Sequence, residues 1–155
     1  MAQQLNLDTA QRVDVTCRRG DTFEMSLTIM GADGVTSVLA ANDTFKMEVR
    51  VADTDDTVYT DGTTHGDDNN NIILSTLDDA SGATKRIVVT DSAGVAFSGT
   101  DAVANGIVKF NCAASIMLTR PSGLYVYDIE MTDTSETKVT TIIYGTFKIN
   151  EDVSV

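Results

Sequence analysis

The feature that most restricts this chain is a strict two-residue alternation. In Phe23–Met30 the residues Phe23, Met25, Leu27 and Ile29 are apolar and separated by Glu24, Ser26 and Thr28, and in Thr44–Val51 the residues Phe45, Met47, Val49 and Val51 alternate with Lys46, Glu48 and Arg50. Successive side chains of a strand point to opposite faces, so this period gives half-buried strands and would scatter apolar residues around a helix. Arg12–Cys17 repeats it with Val13, Val15 and Cys17, and Tyr125–Met131 with Tyr125, Tyr127, Ile129 and Met131, opposite Val126, Asp128 and Glu130.

Composition agrees. Thr (22), Val (16) and Ile (10) together supply nearly a third of the 155 residues, with one Pro and no Trp. β-branched residues suit a pleated surface. Eighteen of the 23 acids are Asp, the acid that suits turns because its side chain bonds nearby backbone amides.

Turn chemistry divides the alternating runs at Arg19-Gly20-Asp21-Thr22, Gly31-Ala32-Asp33-Gly34, Asp78–Gly82, Asp91–Gly94 and Asn105-Gly106. Further strands are expected at Asn71–Leu77 and Lys85–Thr90, the two forming a hairpin that projects from the main sheet, and at Gly106–Cys112. A long segment, Lys138–Asn150, is expected to bend at Gly145. Ala113–Thr119 breaks the alternation and reads as a helical turn, ended by Pro121 and Gly123. The fold expected is all-β: an antiparallel β-sandwich with a long polar hairpin or loop insertion and one short helical turn. Residues 1–11 read as an N-terminal arm and 12–155 as a single sandwich domain, with the insertion at 52–84.

The formal charge of −12 repels phosphate backbones and anionic membranes, and no strong basic patch offsets it; Arg12, Arg18 and Arg19 are the nearest approach and Lys85-Arg86 an isolated pair. Neither nucleic acid nor membrane is expected as a partner. Acidity of this kind keeps a densely displayed protein soluble, selects a basic protein partner or gathers divalent cations. No run approaches the roughly 18 apolar residues of a membrane span. Residues Met1 to Ala10 contain no basic region followed by a long apolar core, so no ordinary secretion signal is expected and synthesis is placed in a cytosol.

Catalytic chemistry finds few residues to work with. The single histidine, His65, lies in an acidic stretch with Asp61, Asp67 and Asp68, and a mobile surface side chain is the expectation there. Cys17 and Cys112 are too far apart in sequence for a CxxC or zinc pattern and read as core thiols. Asp53, Asp55, Asp56 and Asp67–Asn71 carry the hard oxygens that calcium prefers, without the loop spacing of an EF-hand. No catalytic residue, metal ligand or cofactor is assigned, and the chain is not expected to be an enzyme. Tyr125 and Tyr127, with Tyr59, admit a carbohydrate platform, but the period running on through Ile129 and Met131 favours a buried stripe. Arg19-Gly20-Asp21 spells an adhesive tripeptide and reads as a turn.

Four segments together resemble a known family: Arg18-Arg19-Gly20-Asp21-Thr22-Phe23, Phe45-Lys46-Met47-Glu48-Val49-Arg50, Gly123-Leu124-Tyr125-Val126-Tyr127-Asp128-Ile129 and Tyr144-Gly145-Thr146-Phe147-Lys148-Ile149. They look like the small β-sandwich of tailed-bacteriophage structural proteins, especially the N-terminal domain of the baseplate upper protein family. The resemblance spans most of the chain outside the Asp/Asn-rich centre. It implies a viral structural protein of the virion, assembled in the host cytoplasm, that docks onto other phage virion proteins at the tail or baseplate, with self-association into a homo-oligomer left open. An extended helical or coiled segment that would carry distal fibres is not expected, so receptor delivery is not implied. A capsid decoration protein and a carbohydrate-binding sandwich module are the alternatives. Contact regions are expected in Met1–Asp8 and Asp53–Asn71.

Overall fold

The computed structural model describes residues 10–31, 33, 34, 39, 43–51, 72–76, 87–97, 105–133 and 137–153. Among the described residues the elements are β1 (Gln11–Arg12), β2 (Val15–Arg18), β3 (Phe23–Thr28), β4 (Thr44–Arg50), β5 (Ile72–Ser75), β6 (Val88–Thr90), β7 (Ile107–Cys112), the short helix α1 (Ala114–Leu118), β8 (Gly123–Asp133) and β9 (Lys138–Asn150). Six strands form one sheet in the order β1-β9-β8-β4-β5, with β2 also on β9, and three form a second in the order β3-β7-β6. The all-β sandwich expected from the alternation is therefore present, with its short helix.

The alternation sets the inner faces. Phe45, Met47, Val49, Tyr125, Tyr127, Ile129, Ile143, Phe147 and Ile149 of the larger sheet share one core with Phe23, Val108, Phe110 and Cys112 of the smaller. Aromatic edges tie the layers: Phe23 meets Phe147 at 5.1 Å between ring centroids, and Phe45 meets Phe110 at 6.3 Å. Such edge-to-face pairs add about 0.5–1.5 kcal/mol each beyond the area they bury. Met117 of α1 is fully buried in the same core. The run Ala113–Thr119 is thus a helical turn with one side chain committed inward.

Several details differ from the sequence reading. The larger sheet is mixed, because β1 and β2 lie parallel to β9. Gln11, expected in the arm, already pairs in this sheet beside Arg12, where the alternating strand was expected to begin, and residues 1–9 lie outside the described residues. The segments around β5 and β6 do not pair as a projecting hairpin. Strand β5 lies beside β4 in the larger sheet and β6 beside β7 in the smaller, and the Ile87 amide donates to the Ser75 carbonyl at 2.8 Å between them. Ile72–Ser75, within the expected insertion, is a buried strand of the main sheet, because three consecutive apolar residues mark a strand covered on both faces. The rest of that insertion, 52–71 and 77–84, lies outside the described residues.

No bulge lies at Gly145. The strand runs unbroken from Lys138 to Asn150, and its register slip falls at Ile142, where Ile129 pairs with Ile143 but Glu130 with Thr141. What Gly145 provides is clearance: a Cβ there would stand 2.2 Å from the Val13 carbonyl oxygen. The chain turns inward at Val13-Asp14, between β1 and β2, and rests on bare backbone. The Val13 amide donates to the Tyr144 carbonyl at 2.9 Å, and Asp14 Oδ1 accepts the Thr146 amide at 3.0 Å, a side chain standing in for the strand partner missing at the break. That bond, ahead of the neighbouring Thr146 hydroxyl and Arg12, holds the Asp14 carboxyl below its usual range. Tyr127, opposite Gly145 on β8, donates its hydroxyl to the Val13 carbonyl at 2.7 Å. Gly145→Ala is expected to cost about 2–3 kcal/mol in chemical denaturation and to remove hydrogen-exchange protection at Val13 and Thr146 first. Unchanged stability and protection would show that the approach is not tight in solution.

Candidate functional site

The outward face of the larger sheet carries a charged row that pairing assembles from distant segments. On β4 the outward residues are Lys46, Glu48 and Arg50, and on β8 Val126, Asp128 and Glu130. The register sets Lys46 opposite Glu130, Glu48 opposite Asp128 and Arg50 opposite Val126. Strand β9 adds Tyr144 opposite Asp128. Directly opposite side chains of an antiparallel pair have their Cβ atoms about 4.5–5.5 Å apart, so Glu48, Asp128 and Tyr144 form a continuous line. A concavity of about 330 Å³ opens over it, lined by Glu48, Arg50, Val126, Tyr127, Asp128, Tyr144 and Gly145.

Glu48 is only 4% exposed and is held by both neighbours on its own strand. Lys46 Nζ lies 3.2 Å from Oε1, while Arg50 Nε donates to Oε2 at 3.0 Å and Arg50 Nη2 contacts the same oxygen. A carboxylate so far out of water is tolerable only with such pairing. Asp128 is in a different position. It is half-buried, and its carboxyl has no hydrogen bond to another described residue. Burial first, then the charges of Glu130 and Glu48, push its carboxyl above the ordinary value against the opposing pull of Lys46 and Arg50. Lys46 leans toward Glu48, being 3.9 Å from Glu130. The row can accept a positive group at Asp128; Glu48 is already committed.

A second polar cluster closes one end of the sandwich. Arg19 Nε donates to the Leu118 carbonyl at 2.8 Å and Nη1 lies 3.5 Å from Glu151 Oε2, while Ser122 Oγ donates to Glu151 Oε1 at 2.6 Å. The Ser122 bond, then Arg19, holds the Glu151 carboxyl low. Gly20 sits at φ +85° and the Asp21 amide donates to the Arg18 carbonyl. The Arg19-Gly20-Asp21 tripeptide is accordingly a tight turn whose arginine is engaged within the fold.

Of the residues singled out from sequence, Tyr125 and Tyr127 point inward. Their hydroxyls donate to Pro121 and Val13 carbonyls at 2.6 and 2.7 Å, and burial pushes Tyr127 up to about 12. They form no exposed platform; Tyr59 lies outside the described residues. Cys17 and Cys112 are free thiols, each pushed up to about 11 chiefly by burial. His65, Asp53, Asp55, Asp56, Asp61 and Asp67–Asn71 lie outside the described residues. Among the described residues no group of three or more His, Cys, Asp or Glu side chains is placed to hold a metal ion, and no helix is long and apolar enough to cross a membrane.

The charged row was visible in sequence only as two outward faces. Its signal, a plus-minus-plus alternation on one strand facing an acidic pair on another, becomes a site once β4 and β8 are known to be neighbours.

Two outcomes test this electrostatic description. A carboxyl whose value is raised by folding favours the folded state while protonated, and that advantage is lost as pH rises from the ordinary value of 3.8 through the raised one. Asp128→Asn is therefore expected to raise the Tm at neutral pH, with the gain closing as pH falls through the raised value toward 3.8 and absent below it, measured by calorimetry across that range. A lower Tm at neutral pH would contradict it. The cysteines, with values raised from 9.0 to about 11, should hold about a hundredfold less thiolate than in the unfolded chain. An aromatic disulfide reagent should label both correspondingly slowly until denaturant is added; fast native labelling would overturn the assignment.

Compared with known proteins, the chain matches no family model and no curated relative.

Proposed function

We propose that this protein is a structural component of a tailed-phage particle that acts by docking onto other virion proteins at the tail or baseplate. The observation that supports the reading is spatial. The four segments that resemble the baseplate upper protein family are distant in sequence, yet three of them lie side by side as β4, β8 and β9. The fourth, Arg18–Phe23, meets the end of β9, where the Arg19 amide donates to the Asn150 carbonyl at 2.9 Å.

The physical role follows from the same sheet. Long antiparallel pairing between β8 and β9, eleven residues against thirteen, holds the outward side chains of a broad face in fixed relative positions. Rigid presentation reduces the entropy lost on association, and repetition around a symmetric particle turns weak single contacts into strong attachment. Docking of this kind requires no bond making or breaking.

The test is location. Particles purified from the phage that encodes this chain, labelled with gold-conjugated antibody and imaged in negative stain, are expected to carry label at the tail or baseplate. Dense label across the head would replace the tail assignment with capsid decoration, and particles free of the chain would overturn the structural role altogether.

A further inference from the structure

We infer that the outward face of the larger sheet pairs with the same face of a second copy of this chain about a two-fold axis. The inference goes beyond the docking reading and does not depend on it. In a chain with 23 acids and 11 bases, cations that lack a carboxylate are conspicuous, and two of them stand together here. Lys148 of β9 lies opposite Thr16 of β2, and Arg18 lies one outward position further along β2, opposite Asn150. Both are exposed. Arg18 bonds the Glu151 carbonyl at 3.5 Å, and among the described residues neither cation is ion-paired to a carboxylate.

The charges of the face divide by corner. Asp128 and Glu130 of β8 lie toward β4, while Lys148 and Arg18 lie toward β2 at the opposite end of the same strands. The remaining cations of the face are committed, Lys46 and Arg50 to Glu48 and Arg12 to Asp14. Between the corners the face is apolar. Leu124, opposite Lys148, is 65% exposed and Tyr144 41%, with Val126 diagonal to the tyrosine. Acids at one corner, bases at the other and an apolar centre make a surface complementary to itself. A two-fold axis lying in the plane of contact and crossing the centre sets each basic corner on the other copy's acidic corner. Exposed ion pairs add little binding, so the apolar centre supplies affinity and the corners fix orientation.

The area suffices. Residues Gly123–Glu130 of β8, rising about 3.3 Å each, and the four strands β4, β8, β9 and β2, about 4.8 Å apart, outline roughly 26 by 19 Å, on the order of 500 Å² per copy. Twice that, about 1,000 Å², is the lower bound of a specific interface. The net charge of −12 on each copy opposes approach at long range. Physiological salt screens it beyond about 8 Å, so the charges that meet decide the contact. The expected complex is a weak, exchanging dimer.

The experiment measures self-association of the full chain by sedimentation equilibrium from about 10 µM to about 1 mM, a range that brackets the dissociation constants of weak pairs. The wild-type chain is expected to pass from one copy toward two. Lys148→Glu and Glu130→Lys, each confirmed folded by its amide NMR spectrum, should each weaken association about tenfold. An equimolar mixture of the two should recover it as a heterodimer, because each reversed charge then meets the other. Glu130→Lys also lowers the net negative charge by two units, which by itself would strengthen association, so a weakening reports the face. Glu24→Lys, on the outward side of the smaller sheet, changes the net charge equally and should not weaken it. A chain that stays single at the highest concentration overturns the pairing and leaves the face to a different partner. A dimer unweakened in both variants overturns this face as its contact, and a mixture that fails to associate overturns the opposed corners. None of these outcomes bears on where the chain sits in particles, which is the test of docking.

Discussion

The contact on which the sandwich depends is the edge of Phe147 against Phe23, with Tyr127 packed at 5.9 Å on the same ring. Phe147 belongs to the larger sheet and Phe23 to the smaller, and both are buried, so this pair, with Phe45 on Phe110, joins the two layers into one core. Through Tyr127 the contact continues to the chain's N-terminal side, because the tyrosine hydroxyl reaches the Val13 carbonyl. Three layers of dependence follow from one aromatic cluster: sheet on sheet, tyrosine on phenylalanine, and the parallel strands β1 and β2 on tyrosine.

That chain of contacts passes through three consecutive residues of β9. The Tyr144 carbonyl accepts the Val13 amide, Gly145 leaves room for the Val13 carbonyl, and the Thr146 amide is taken by Asp14. The same register that sets Gly145 beneath the incoming strand turns Tyr144 outward, opposite Asp128. Core and outward face are thus not independent. A slip of one residue in β9 would bury Tyr144 and expose Phe147, since the side-chain period of a strand is two. The candidate site inherits its geometry from the requirement that Phe147 face inward.

Much of the fold was legible because the deciding signal was local. Strict alternation at Phe23–Ile29 and Phe45–Val51 gave strands β3 and β4 with their buried faces, and the broken alternation at Ala113–Thr119 gave α1. What sequence did not disclose was pairing. Nothing local states that β5 joins β4 while β6 joins β7, or that β1 and β2 run parallel to β9; those are outcomes of packing between segments more than a hundred residues apart in the last case. Gly145 was read as a bend because an isolated glycine in a strand has two explanations, a bulge or a close approach, and only the position of Val13 separates them. The site was hidden for the same reason. Lys46, Glu48 and Arg50 were identified as an outward face, but an outward face is a solvated one only if no other strand's charges are set beside it.

The row on that face shows how a sheet can hold charge without dissolving it. Glu48 is as buried as the core residues beneath it, and its two cations come from positions two residues away on either side of the same strand, so β4 neutralises its own buried acid whatever lies alongside. Had Glu48 drawn its cation from β8, the carboxyls of that strand would have shared in the pairing. Because β8 presents Asp128 and Glu130 there instead, the surplus charge of the row settles on Asp128, the acid closest to the centre of the face and to the exposed Tyr144. A carboxyl at the middle of a rigid strand pair has less freedom to swing into solvent than the same group on a turn. The stiffness of the β4–β8 pair therefore holds Asp128 at a fixed place between the like charges of Glu48 and Glu130 and the opposing pull of Lys46 and Arg50.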